Sequence, residues 1–224
     1  WGTPAIRAIK KALPGAGIDL LLQSQWKSLF YGNSNIRRLI PYYPDWYRQI
    51  ILLPRFVGTR YDHVLIFHAN KDIRRVLPWL KCSSIWSHQQ PDNDGSLPLP
   101  GISSNQIVRF EKPAHCILRR MAMLEKVQIP SDGTQMDIFL NDDDHAEALL
   151  FLEQHHMVPK EFIYFNTGGS VPQKQWPVNA CISLAKLILQ NTSLTIVLGG
   201  GPEAVDRVDS IEKQLDRKRV TRAT

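Results

Sequence analysis

Two glycine clusters carry the residue types best suited to chemistry. Thr167-Gly168-Gly169-Ser170 follows an apolar run and precedes a lone Lys174 and then Trp176-Pro177. Gly199-Gly200-Gly201-Pro202-Glu203 closes the next apolar run. Glycine lets backbone approach a ligand closely, a Ser hydroxyl can donate to a phosphate oxygen, and a Lys ammonium is a compact charge. Both clusters stand where a strand gives way to a helix, a place where backbone N–H groups can meet an anion. The chemistry this suggests is the holding of phosphate. Neither cluster is a P-loop, and neither has the G-x-G-x-x-G spacing of a dinucleotide fingerprint. Taken alone, each is also what a tight β–α turn requires, with Pro202 suited to the first helical position.

Other reactive side chains form no constellation. His68 ends an apolar run and is followed by Asn70 and Lys71, so it could line a cleft or serve as a partly buried structural histidine. His155-His156 falls at a helix end, where the dipole favours positive charge, and is assigned no catalytic role. Asp142-Asp143-Asp144 stands at a helix start, where the same dipole favours carboxylates; it is read as a cap and not as a metal site. No G-x-S-x-G is present, and Cys82, Cys116 and Cys181 are widely spaced, as in a reduced cytosolic protein.

These residues need elements to hold them. Apolar runs at 18–22, 36–40, 64–67, 84–86, 136–140, 162–165 and 194–198 are predicted as strands. Helices are predicted over 5–13, 45–56, 70–80, 113–126, 146–155, 177–189 and 202–215, with a helical turn or two at 26–31. The alternation implies βαβ units and parallel sheets. Thr3-Pro4 reads as N-cap and first turn of the opening helix. The segment between His88 and Gln106 is rich in Pro, Gly, Ser and Asn and breaks the pattern. A linker at 157–160 divides the expected domains, 1–157 and 158–224. The second shows only two strands, and its tail, DRKRVTRAT, has no evident partner.

The chain has 224 residues, 43% apolar and 21% charged, enough for one large or two modest cores. A net charge of +6 suits an anionic partner. Arg7, Lys10, Lys11, Arg37, Arg38, Arg74, Arg75, Arg119 and Arg120 gather in the first half, without the aromatic interleaving of a single-strand nucleic-acid platform. No apolar run reaches the ~20 residues of a membrane span, and no signal peptide is laid out.

Three segments together resemble the bacterial heptosyltransferases of lipopolysaccharide core synthesis, glycosyltransferase family nine. TPAIRAIKKALPGAGIDLL is similar to that family's opening helix and second strand. NTGGSVPQKQWP resembles its donor loop, with Lys174, Trp176 and Pro177 as Lys-x-Trp-Pro, and TIVLGGGPEAVDR resembles the next strand and glycine turn. RYDHVLIFHANKDIRR is a looser match to the acceptor domain.

The resemblance implies a GT-B fold, two Rossmann-like domains facing across a cleft, here with the first strand missing and the second domain truncated. It implies inverting, metal-independent transfer of heptose from a nucleotide sugar, typically ADP-heptose, to an anionic lipid-linked acceptor, with no cofactor and no nucleic-acid partner. The place implied is the cytoplasm, with the inner-membrane surface as a contact. Ser170 and Lys174 would touch the donor diphosphate, with Thr167, Gly168, Gly169 and Gly199, Gly200, Gly201 shaping its seat. Thr3, His68, Asn70 and Lys71 are the acceptor-side candidates. The family's general base, the Asp of a Gly-Asp pair, would lie upstream of Trp1. Another nucleotide sugar, another acceptor, or a non-catalytic nucleotide-binding module stay open as alternatives.

Overall fold

The structure is a computed structural model that describes residues 1–224 except 44, 57, 90–98, 100, 170 and 224. It divides into two compact units, Trp1–Asn141 and Asp142–Thr224. The division falls before the expected linker, so the helix α6 (Asp142–Gln154) goes with the second unit. Near its end His155 Nδ1 lies 2.9 Å from Thr221 Oγ1, and Met157 is buried.

The first unit opens with α1 (Thr3–Ala12), where Pro4, Ala5, Ile6 and Ala8 face inward and Lys10 and Lys11 sit in the last turn, the end that favours cations. Gly2 and not Thr3 occupies the cap position; the Thr3 hydroxyl instead accepts the N–H of Asp137 at 3.0 Å. The small Ala5 and Ala8 let α1 pack closely on Ile117, Met121 and Leu124 of α5 (Cys116–Lys126). Strands β1 (Asp19–Gln23) and β2 (Arg38–Tyr42) pair in parallel. Separately, β3 (Arg60–Leu65), β4 (Lys81–Gln89) and β5 (Ile107–Arg109) form a second parallel sheet in that order.

Several sequence expectations for this unit need correction. The helix expected over 45–56 is broken into α2 (Trp46–Gln49), a 3-10 turn (Ile50–Leu52) and α3 (Leu53–Phe56). Pro54 has no N–H to return to the turn before it, which is reason enough for the break. Strand β4 runs on through His88 and Gln89, into the segment that reads as patternless in sequence. The strand expected over 136–140 is absent: Met136, Ile138 and Leu140 are exposed, while Arg7 holds the stretch through the carboxylates of Asp132 and Asp137. Alternation suggested a strand, but charge pairing to α1 took the place of a ladder.

In the second unit β6 (Phe162–Asn166), β7 (Thr195–Gly199) and β8 (Val220–Ala223) make one parallel sheet with β7 in the middle. Ile196 and Leu198 of β7 point to one face, where they share a core with Cys181 and Ala185 of α7 (Val178–Asn191) and Val208 and Ile211 of α8 (Val205–Glu212). The strand β8 corrects the expectation of two strands. Two of its basic residues are engaged: Arg222 pairs with Asp209 at 2.8 Å, and the Arg219 guanidinium donates to the carbonyls of Leu189, Thr192 and Leu194 around the end of α7. Asp142, Asp143 and Asp144 form the first turn of α6, starting the helix earlier than expected.

Candidate functional site: two glycine turns at the carboxyl ends of β6 and β7

Strands β6 and β7 are adjacent and parallel, with Asn166 opposite Gly199, so the two glycine clusters emerge side by side. Thr167, 2% exposed, fastens them: its N–H and its hydroxyl both donate to the Gly199 carbonyl, at 2.8 and 3.1 Å. Gly168 donates its N–H to Asn166 Oδ1 at 3.1 Å, so that amide already serves the turn. Gly169 accepts from the Gln175 side-chain amide at 2.9 Å.

Glycine is needed at these positions for room, not for a left-handed backbone, since none of the five has positive φ. A Cβ on Gly200 would lie 2.4 Å from the Ala204 Cβ and 3.2 Å from the Gly168 nitrogen; one on Gly168 would lie 2.9 Å from Glu203 Oε1. The turns are thus pressed together, with the Glu203 carboxylate at their rim. On the β7 side, Tyr164 lies across Gly199, its hydroxyl 2.2 Å from where a Cβ would stand.

The loop carries a 3-10 turn (Pro172–Lys174) before α7, which begins at Val178, within a residue of the expected start. Lys174 ends that 3-10 turn, exposed. The Trp176 ring is 53% exposed, and the Trp176 carbonyl ties the loop to α7 and α8, accepting from the Arg207 guanidinium and, at 3.9 Å, from the Cys181 thiol. Burial raises the pKa of that thiol, which keeps it a donor. Ser170 lies outside the described residues.

Arg207 was missed by sequence reasoning. From α8 its Nε donates to the Thr167 carbonyl at 3.1 Å and its Nη2 to the Trp176 carbonyl, joining both ends of the loop. Glu203 and Arg207 are four residues apart just beyond a glycine turn, a spacing that sends both side chains to one face of the following helix. That spacing was the available signal. Chemically, the arrangement offers two closely packed backbone turns, an exposed cation on the same loop and a carboxylate at the rim. The cation suits phosphate oxygens, and the carboxylate suits hydroxyl donors.

The acceptor-side candidates all fall in the first unit. Thr3 is used by Asp137, as described. Asn70 is the N-cap of α4 (Lys71–Val76): its Oδ1 accepts the N–H groups of Asp72 and Ile73 at 3.0 and 2.9 Å, and its amide donates to the Tyr42 hydroxyl at 3.3 Å. Asn70 is therefore a structural cap. His68 is exposed at the carboxyl end of β3, and Lys71 is the first residue of α4. A histidine that sequence reasoning passed over is placed more firmly. His88, 9% exposed, donates from Nε2 to the Phe67 carbonyl at 3.1 Å and faces Arg119 Nη1 through Nδ1 at 3.5 Å. Among the described residues no group of three or more His, Cys, Asp and Glu could hold a metal ion, and no helix is long and apolar enough to cross a membrane.

The fold is shared with solved glycosyltransferases. A family 9 glycosyltransferase from Veillonella parvula superposes with a TM-score of 0.79 at 20% identity, over 98% of this chain and 64% of that one. The ADP-heptose LPS heptosyltransferase II of E. coli superposes with a TM-score of 0.67 at 15% identity, over 99% of this chain and 67% of that one. The chain thus spans about two-thirds of the length of each. At such identities the likeness is one of fold, and it bears out the expected α/β, GT-B-type architecture of parallel sheets. No curated protein matches the chain. The model of glycosyltransferase family 9 (heptosyltransferase) matches residues 92–223, which take in both glycine turns, and the chain belongs to that family.

Proposed function

We propose that the protein is an inverting, metal-independent transferase that moves heptose from a nucleotide-heptose, ADP-heptose in the first instance, to an anionic lipid-linked sugar. The observation that carries this is the pair of interlocked glycine turns beside Lys174, lying inside the family match. A departing nucleoside diphosphate gathers negative charge in the transition state. Fixed dipoles and a nearby cation lower the barrier by meeting that charge as it forms. Lys174 Nζ, Ser170 Oγ and the backbone of Gly169, Gly200 and Gly201 would do so. Glu203 at the rim repels a phosphate and accepts from hydroxyl groups, which favours placing the ribose there and the diphosphate toward Lys174.

The acceptor hydroxyl must lose its proton as the glycosidic bond forms, so a base is required. No residue of this chain is assigned that role. The net charge of +6, with its cations gathered in the first unit, supports an anionic acceptor and contact with the inner-membrane surface. The test is titration calorimetry and turnover with ADP-heptose on Lys174→Ala, in the protein as its gene encodes it. Loss of donor affinity by about tenfold, ~1.4 kcal/mol, is expected for a charge-assisted contact. Unchanged affinity and turnover would show that Lys174 has no such role. Thermal-shift screening across nucleotide sugars names the donor, because a bound ligand stabilises by mass action.

A further inference from the structure

Lys174 is exposed and stands on a loop, yet the place of its backbone beside the glycine turn is closely defined. The stretch from Gly169 to Gln175 is closed on itself. Gln175 donates from its side-chain Nε2 to the Gly169 carbonyl at 2.9 Å. Gly169 also presses on the last two residues of the stretch: a Cβ there would lie 3.0 Å from Gln175 Cγ and 3.2 Å from the Lys174 carbonyl oxygen. Any side chain at 169 would push the two ends apart, so the glycine and the Gln175 clamp belong together. Of the described residues 171–177, Gln175 is the one that is not exposed.

The clamp reaches Lys174 through the chain. Neighbouring Cα atoms stand about 3.8 Å apart across a trans peptide, so fastening Gln175 to Gly169 fixes the Lys174 Cα beside the turn. The 3-10 turn adds to the hold: Lys174 donates its N–H to the Val171 carbonyl and Gln175 its own to that of Pro172, both at 3.0 Å. A lysine is a compact charge on a flexible stem, and what it contributes to holding a phosphate depends on how often it stands within reach. Arg207 does a different job. It ties the loop to α8 at Thr167 and Trp176, on either side of the closed stretch, whereas Gln175 closes the stretch itself.

We infer that Gln175 is a positioning residue, holding Lys174 against the Gly169 turn and setting through it the affinity for a diphosphate; the second half rests on Lys174 being a donor contact, as proposed above.

ADP is the probe, by titration calorimetry on the protein as its gene encodes it. Gln175→Ala should weaken ADP about 3–10-fold, the effect of one hydrogen bond, and should raise donor KM more than it lowers kcat. In Gln175→Glu the ionised carboxylate cannot donate to the Gly169 carbonyl, whereas the protonated acid can. Its ADP affinity should therefore fall at least as far as that of Gln175→Ala at neutral pH. It should return toward that of the unsubstituted protein, measured at the same pH, as the pH falls toward about 4.5. Hydrogen exchange reads the clamp without any ligand: the Lys174 and Gln175 amides should exchange about 5-fold or more faster in Gln175→Ala. Adding Gln175→Ala to Lys174→Ala should weaken ADP no further, because no cation is left to position.

Unchanged exchange in Gln175→Ala, unchanged ADP affinity in it where Lys174→Ala weakens ADP, or full additivity of the two substitutions would overturn the inference. Failure of the donor reading looks different. Lys174→Ala would then leave ADP affinity unchanged while Gln175→Ala still speeds exchange, so that the clamp stands and its effect on affinity falls.

Discussion

The two units are built from the same parallel β–α alternation, yet they are organised differently inside. The second has three strands in one sheet and a single core cluster, in which Ala185, Ile196, Leu198, Val208 and Ile211 are all fully buried. Among the described residues the first has five strands split between two sheets, and its buried residues fall into three clusters beside a cavity. Strand number therefore does not measure how well a unit is held; continuity of the sheet does. The glycine turns hang from the continuous sheet, which suits a site whose geometry must be fixed before the ligand arrives. The split unit carries most of the Lys and Arg residues.

Paired truncations make the largest test of this contrast. Leu198 is 0% exposed at the centre of the second core, so Leu198→Ala should cost about 3–5 kcal/mol, the range for a leucine that leaves a cavity behind. Leu21 is only partly buried beside the Ile40–Leu52 cluster, and Leu21→Ala should cost about 1 kcal/mol, the transfer term with little added void. Urea unfolding, with hydrogen exchange to assign each transition, measures both. Equal losses would mean that the first core is as continuous as the second.

Within the second unit the glycines should rank by what stands in the way. At Gly200 the obstacle is the Ala204 Cβ, fixed to the backbone at a helix start, and Gly200→Ala is expected to cost about 2–3 kcal/mol through overpacking. At Gly201 the obstacle is the end of the Glu203 side chain, which can swing aside, so Gly201→Ala should cost under about 1 kcal/mol. Thermal unfolding of the two variants provides the order, and a reversal would show the turns to be looser than described.

In the first unit the matching electrostatic test concerns Asp19, whose side chain is 3% exposed. Burial alone would raise its pKa, but hydrogen bonds from Arg37, Arg38 and Tyr61 outweigh it and hold the carboxyl far below the usual range. A carboxyl depressed in the folded state stabilises above its unfolded pKa, near 3.9, and that stability fades as pH falls below about 4. Asp19→Asn should cost about 2 kcal/mol at neutral pH, less than a fully buried pair because the arginines remain half exposed. It should also flatten the acid limb of the stability–pH curve. An unchanged limb would show that the bonds from Arg37, Arg38 and Tyr61 to Asp19 add nothing to stability.

What the sequence made legible follows the same division. In the second unit the apolar runs, the turn glycines and the helix starts agree with one another, so β6, α7, β7 and α8 read directly, and both clusters sit where expected at the strand ends. The strand β8 was hidden because Arg219 and Arg222 look like a solvated tail. Only the fold reveals that the first hooks three carbonyls and the second pairs with Asp209. In the first unit alternation misled at Met136, Ile138 and Leu140, where no neighbouring edge was present and Arg7 claimed the acids. Asn70 read as a site residue because it follows a strand, a position equally good for capping α4. Arg207 left only a faint signal, its four-residue spacing from Glu203. Its role is to donate to main-chain carbonyls, and carbonyls leave no trace in residue identity.

Arg207 also gives the finest test, because it separates holding the loop from touching the ligand. Its guanidinium reaches the carbonyls of Thr167 and Trp176, one before the glycines and one after Lys174. A lysine in its place can reach one carbonyl but lacks the fork that joins two. Arg207→Lys should therefore cost only about 1 kcal/mol of stability, one charge-assisted hydrogen bond less the water that replaces it. Lys174 would then stand on a loop free to move. Donor KM should rise several-fold, with kcat changed less, since the reacting groups are present but less often in place. Arg207→Lys combined with Lys174→Ala should lose little more affinity than Lys174→Ala alone, because the loop then has no cation left to position. Full additivity in that cycle would mean that Arg207 acts on the donor independently of the loop, and the division between a residue that holds the loop and one that touches the ligand would have to be redrawn.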